Sequence, residues 1–219
     1  MDPAQQIDAY CERVGPELWA EPLNALTNGA FLIAALIMIW RLRGSGLTLG
    51  YAMAAALALI GVTSGAWHIW ALSWTGAADV LSILVFILLY LWASNRYFWE
   101  LSPLWAGLGV LAFFPYAAAM GWVIARLPFF QISGLYWAVA LLIGVTGWAL
   151  RHRSPETARN LGIGATILTV SITARSLDEP LCSVLPIGTH FIWHVLNGIM
   201  LGWMIETYRR HRLRGQSAI

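Results

Sequence analysis

The chain has 219 residues, a net charge of +2 and a strongly apolar composition. Apolar residues make up 59% and charged residues 11%, against roughly 45–50% and about 25% in soluble domains. This composition excludes an ordinary soluble enzyme or binding module and predicts an integral membrane protein. We expect a membrane and a lipid from the bilayer as its partners, and no nucleic acid.

Seven apolar segments are each long enough to cross a membrane, since about 20 helical residues span roughly 30 Å of hydrocarbon. The connections are short, so successive helices should be antiparallel neighbours. We therefore expect an all-α fold, a seven-transmembrane helical bundle that forms a single domain over 1–219. A polar leader (1–23) precedes the bundle and a basic tail (209–219) ends it. The segments lie near 24–42, 49–71, 77–96, 104–125, 134–151, 159–176 and 187–208.

The arginines predict the orientation of this bundle. Basic residues accumulate on the cytoplasmic side of membrane proteins. With seven spans, only Arg13, Arg126 and Arg175 share one side with the acidic leader, and ten arginines fall on the other. The amino terminus is therefore expected outside and the carboxyl terminus in the cytoplasm. The ten are Arg41, Arg43, Arg96, Arg151, Arg153, Arg159, Arg209, Arg210, Arg212 and Arg214.

A histidine pair opens the last apolar segment. His190 and His194 are four residues apart, so their imidazoles share one helix face and can approach one metal ion. The alternative is a pair of interfacial histidines beside Trp193. Ionisable side chains inside a membrane span are rare and by default indicate function.

Three more polar residues are predicted at the same depth on the outer side. Ser64 and His68 lie near the outer end of the second segment, and Asp79 lies just inside the third. Three imidazoles with an open fourth position are the ligand set of a catalytic zinc site. His68, His190 and His194 can supply that set, with Asp79 as a proton carrier and Ser64 as an oxyanion donor. The alternatives are a helix cap for Asp79 and a bond from Ser64 to its own helix.

The leader carries a second group of oxygen donors. Asp8, Glu12, Glu17 and Glu21 are closely spaced, and such groups suit a hard cation such as calcium. Without the glycine-punctuated spacing of an EF-hand, the spacing by itself favours a solvated acidic leader. The two cysteines of the chain, Cys11 in the leader and Cys182 before the last segment, share the oxidising side and are expected to form a disulfide.

In combination these motifs resemble the alkaline ceramidases, seven-span membrane hydrolases related to adiponectin-receptor-like proteins. The similarity covers nearly the whole chain and implies zinc at His68, His190 and His194, with Ser64 and Asp79 at the metal-bound water. It also implies hydrolysis of ceramide-like lipids at the amide bond, to a sphingoid base and a fatty acid. The motifs are Tyr10-Cys11-Glu12, Trp19-Ala20-Glu21-Pro22-Leu23-Asn24, Ser64-x3-His68, Asp79, Asp178-x3-Cys182 and His190-x3-His194.

The resemblance also bears on the leader and on the setting of the protein. It implies calcium at Asp8, Glu12 and Glu21, but the leader has Ala9 and Val14 where eukaryotic members have Asp and Asn. We expect a bacterial member in an inner membrane, with the site towards the outer side.

Two other functions remain open from the sequence. One is a receptor-like or structural membrane protein with a closed, non-catalytic zinc site. The other is a hydrolase on the same scaffold that cleaves lipid esters. A fourth protein ligand would favour the closed site, while Asp79 beside an open position favours catalysis.

Overall fold

The computed structural model describes residues 2–128 and 130–217, and these residues form helices with no strand among them. Residue 1 of the predicted leader and residues 218–219 of the predicted tail lie outside these ranges. A π-helical turn, Ser94–Phe98, extends α4, and a short 3-10 turn, Phe130–Ser133, precedes α6. The α-helices are α1 (Pro22–Thr27), α2 (Gly29–Arg41), α3 (Thr48–Trp70), α4 (Ser73–Ala93), α5 (Pro103–Ile124), α6 (Gly134–Leu150), α7 (Pro155–Ser176), α8 (Asp178–Leu181) and α9 (His190–Ser217).

The long helices follow one another around a bundle. Each of α2 to α6 contacts the next helix in the chain, α7 packs on α6 and α9, and α9 returns to α2 and crosses α3. Short connections permit this arrangement because they leave successive helices side by side. The buried centre between α2, α3 and α9 holds large apolar side chains, including Phe31, Leu57, Ile60, Met200 and Met204.

Five helical stretches are long and apolar enough to cross a membrane, consistent with a multi-pass membrane protein. They are Pro22–Arg41, Thr48–Trp70, Ser73–Phe98, Pro103–Ile124 and Phe130–Leu150. The other two predicted spans correspond to α7 and α9, helices of 22 and 28 residues with more polar sequences. Some of their polar groups bond across the bundle, since Ser171 donates to the carbonyl of Trp193 and the Trp203 indole donates to the carbonyl of Asn160.

The leader covers one end of the bundle, which we call the site end. The backbone of Gln6 pairs with that of Leu72 in the turn between α3 and α4. Cys11 and Cys182 form the expected disulfide, which joins the leader to the segment between α8 and α9. At the opposite end Arg41 of α2 makes two hydrogen bonds to Glu206 of α9. Contacts at both ends of the bundle therefore link α9, and the segment before it, to earlier parts of the chain.

Candidate active site

Three buried imidazoles converge at the site end. His68 comes from the last turn of α3, while His190 and His194 lie one turn apart at the start of α9. Their ring centroids are 4.6–5.1 Å apart, and one nitrogen of each ring lies within 4.8 Å of the others. Within the described residues, His68 Nε2, His190 Nδ1 and His194 Nε2 are buried without a hydrogen-bond partner. Such orphaned nitrogens need a ligand, and the group could hold a metal ion.

The second nitrogen of His68 is held by a carboxylate from the leader. His68 Nδ1 lies 2.6 Å from Glu21 Oε2, and Glu21 is 2% exposed. Arg13 Nε donates to the other carboxylate oxygen at 2.6 Å. Burial raises the pKa of the Glu21 carboxyl, and the Arg13 guanidinium acts in the opposite direction. A carboxylate that accepts from Nδ1–H leaves the lone pair on Nε2, where a metal would bind.

His194 is oriented in the same way by a hydroxyl. Its Nδ1 lies 2.9 Å from Thr27 Oγ1 at the end of α1. The Thr27 hydroxyl has two carbonyl acceptors one turn earlier, at Leu23 and Asn24. Because its single hydrogen goes to a carbonyl, its oxygen accepts from the imidazole. This arrangement again leaves Nε2 free for a metal.

His190 is placed by the cap of α9. Asp178 Oδ1 accepts hydrogen bonds from the backbone N–H groups of Thr189 and His190, at 2.6 and 2.8 Å. Asp178 Oδ2 accepts from the backbone N–H of Cys11 at 3.0 Å. The Tyr10 ring stacks on His190 with centroids 3.8 Å apart. One buried carboxylate therefore fixes both the start of α9 and the leader that covers it.

Ser64 and Asp79 line a long apolar cavity beside the imidazoles. Ser64 is one helical turn before His68 in α3. Asp79 Oδ1 is buried without a hydrogen-bond partner among the described residues. The cavity has a volume of about 90 Å³ and a mostly apolar lining that also includes Phe31, Trp193 and Met204. It extends down α4 from Asp79 to Tyr90, about 16 Å at helical rise.

The donor set fits the metal that the resemblance implies. Zinc prefers imidazole nitrogen, and three histidines with an open position are typical of its catalytic sites. In the described parts of the chain, no carboxylate or cysteine joins His68, His190 and His194 in their group. Asp79 lies outside the group and inside the cavity lining.

The residues predicted for calcium make other contacts. Asp8 is exposed. Glu12 accepts from the backbone N–H groups of Leu23 and Asn24 at 2.7 and 2.8 Å, which caps α1. Glu21 binds Arg13 and His68, as described above. The structure thus gives Glu12 and Glu21 protein partners, and calcium binding stays a prediction.

Sequence reasoning did not identify the residues that orient the ligands. The resemblance implies calcium for Glu21 and includes Asp178 only as part of a motif, and the sequence indicates no role at the site for Thr27, Tyr10 or Arg13. They reach the site from the leader, α1 and α8, so helical spacing carries no signal for them. The indirect signal was the distribution of charge, because Arg13 is one of only three arginines predicted on the outer side.

A family model described as Ceramidase matches residues 6–218. The matched range contains every residue of the site described above. No curated protein matches the chain.

Proposed function

Because the chain belongs to the ceramidase family, a family of hydrolases, we propose that it is a zinc-dependent membrane hydrolase that cleaves ceramide-like lipids. The products are a sphingoid base and a fatty acid. The observation that carries this proposal is the group of three buried imidazoles beside a long apolar cavity that Ser64 and Asp79 line. A closed structural site would have a fourth protein ligand.

The residues of the site have distinct roles in this proposal. His68, His190 and His194 hold the zinc, which when bound polarises a carbonyl and lowers the pKa of water to about 7. Asp79 takes a proton from the attacking water and delivers it to the amide nitrogen as the C–N bond breaks. Ser64 donates a hydrogen bond to the oxyanion that develops on the carbonyl oxygen. The unpartnered Asp79 Oδ1 supports the proton-carrying role.

The cavity supports a lipid as the substrate. Its lining is mostly aliphatic and aromatic, as in most sites that bind apolar ligands. The polar residues Ser64 and Asp79 lie at the imidazole end. A long alkyl chain in this cavity places the polar linkage of the lipid beside those side chains.

The proposal extends to the membrane arrangement. We propose that α7 and α9 also cross the membrane, which gives seven spans with the amino terminus outside and the carboxyl terminus in the cytoplasm. The arginine distribution supports this orientation. The site then faces the outer side, and for a bacterial protein that membrane is the inner membrane.

Asp79→Asn tests the proposed chemistry. The substitution keeps the shape of the side chain and removes its proton acceptor, so turnover of a fluorescent ceramide should fall by about 10²–10⁴-fold. The assay uses purified protein in detergent micelles, with zinc measured by elemental analysis on the same samples. Zinc content should remain close to one ion per chain in Asp79→Asn and fall in His194→Ala.

Two outcomes of this experiment would contradict the proposal. Full turnover in Asp79→Asn would remove the proton-carrying role. Loss of zinc in Asp79→Asn would make Asp79 a ligand and favour the closed, structural site. A fluorescent ester of the same chain length, assayed in parallel, separates amide from ester hydrolysis.

A further inference from the structure

The Arg13 guanidinium is enclosed in a shell of oxygen atoms. Its side chain is 1% exposed. It donates to Glu21 Oε1 at 2.6 Å and to the backbone carbonyls of Gly15, Glu17 and His68 at 3.1–3.3 Å. The His68 carbonyl belongs to the last turn of α3, the negative end of the helix dipole. A positive charge is therefore buried where carboxylate and carbonyl oxygens converge.

A single carboxylate, that of Glu21, links this guanidinium to the proposed metal centre. Arg13 binds one oxygen of Glu21, and the other oxygen accepts from His68 Nδ1 at 2.6 Å. Arg13 also binds the backbone carbonyl of the same histidine. It thus holds both the main chain of His68 and the carboxylate that orients its ring.

The oxygen shell around Arg13 leaves few oxygen donors for a second cation. Glu21 is the only carboxylate in ion-pair distance of Arg13 among the described residues, so the pair is neutral. The Glu12 carboxylate already accepts hydrogen bonds from the backbone N–H groups at the start of α1, and Asp8 is exposed. A divalent ion at Glu21 would meet the fixed charge of Arg13 at close range, which is unfavourable.

We propose that Arg13 is the built-in cation of the leader and a positioning residue for His68. Its side chain takes the place of a bound calcium ion, because it binds oxygen atoms of the leader and orients the Glu21 carboxylate towards the imidazole. The metal centre therefore assembles without calcium. The inference rests on the proposed metal site but does not depend on which lipid is hydrolysed.

Zinc affinity, measured by competition with a chromophoric chelator, tests the role of Arg13. Arg13→Gln should weaken zinc binding by about 10–100-fold, the usual effect of losing a group that orients a ligating histidine. Arg13→Lys keeps the charge but not the planar fork, so its affinity should lie between that of Arg13→Gln and the wild type. Arg126→Gln is the matched control, because Arg126 is exposed and its side chain contacts the ring and the backbone carbonyl of Trp122 in α5.

Cobalt(II) in place of zinc gives a readout that a purely structural role would leave unchanged. Its visible spectrum reports the ligand geometry, and we expect it to shift in Arg13→Gln but not in Arg126→Gln. Should Arg13→Gln fail to fold, Arg13→Lys and the wild-type calcium test below decide the question. Unchanged zinc affinity in Arg13→Gln would overturn the positioning role.

The wild-type protein tests independence from calcium. Zinc affinity and the thermal unfolding midpoint should be the same in calcium-depleted buffer and after addition of calcium chloride, with magnesium chloride as the control ion. A rise in either quantity with calcium alone would overturn the inference. Wild-type protein that binds no zinc would instead refute the proposed metal centre, so the two failures are distinguishable.

Discussion

Two adjacent hydroxyl groups on α3, those of Thr63 and Ser64, have different surroundings. Thr63 Oγ1 donates to the carbonyl of Leu59, one turn back in its own helix. The Ser64 side chain instead lines the cavity, together with Asp79. A hydroxyl committed to its own helix has no hydrogen for a substrate, whereas one directed at the cavity can donate to an oxyanion.

Ser64→Ala should therefore lower ceramide turnover by about 10²–10³-fold, the usual loss for one oxyanion donor. Zinc content should not change, because Ser64 is not proposed as a ligand. Thr63→Ala is the control and should leave turnover near the wild-type value. Equal turnover in Ser64→Ala and wild type would exclude the donor role.

At the scale of elements, the start of α9 depends on a glycine. Gly188 has a φ of +65°, a left-handed conformation that side chains other than glycine rarely adopt. A Cβ at this position would also collide with the Asp178 carboxylate and crowd Cys11. The same carboxylate caps Thr189 and His190, so the close approach of α8 and α9 requires the missing side chain.

Gly188→Ala should destabilise the protein by at least about 1 kcal/mol from the backbone conformation alone, with displacement of Asp178 adding to that loss. Zinc affinity should fall as well, because Asp178 holds the backbone N–H of His190. Gly162→Ala is the matched control, since Gly162 lies in α7 with open space around its Cα. That change should stabilise the helix by roughly 0.5–1 kcal/mol. Thermal unfolding in detergent measures both, and a Gly188→Ala protein as stable as wild type would contradict this account.

At the scale of the whole molecule, the length of α7 and α9 favours two further membrane spans, whereas their polar sequences do not. Both are long enough to cross a bilayer at 1.5 Å per residue, yet the five apolar stretches do not include them. A helix that supplies metal ligands and buried hydrogen bonds must carry polar residues. Inside a bundle such residues face other helices, so fewer of them are exposed to lipid.

Cysteine labelling decides whether α7 crosses the membrane. Arg153→Cys and Val184→Cys lie on exposed positions on either side of α7. In intact cells an impermeant maleimide should label Val184→Cys, and Arg153→Cys only after permeabilisation. Wild-type protein is the control, since its two cysteines are paired in a disulfide. Labelling of both positions from the same side would contradict a span at α7.

The sequence by itself determined the helical class, the disulfide and the three histidines. Apolar segments of about 20 residues specify helices, because an isolated strand cannot satisfy its backbone in a membrane. The spacing of His190 and His194 specifies a shared face through local geometry. The two cysteines leave only one possible intramolecular pairing.

Only the tertiary structure decided which groups orient those histidines. Glu21, Thr27 and Asp178 reach the site from the leader, α1 and α8, and no local period relates them to the ligands. The acidic leader shows the limit of reasoning from sequence spacing. Several carboxylates close together in the sequence suggest a cation site. In the folded chain Arg13 lies against Glu21, and that contact depends on a backbone path that sequence spacing does not encode. Packing determines which charged side chains are in contact, and the contact with Arg13 determines the role of the Glu21 carboxylate.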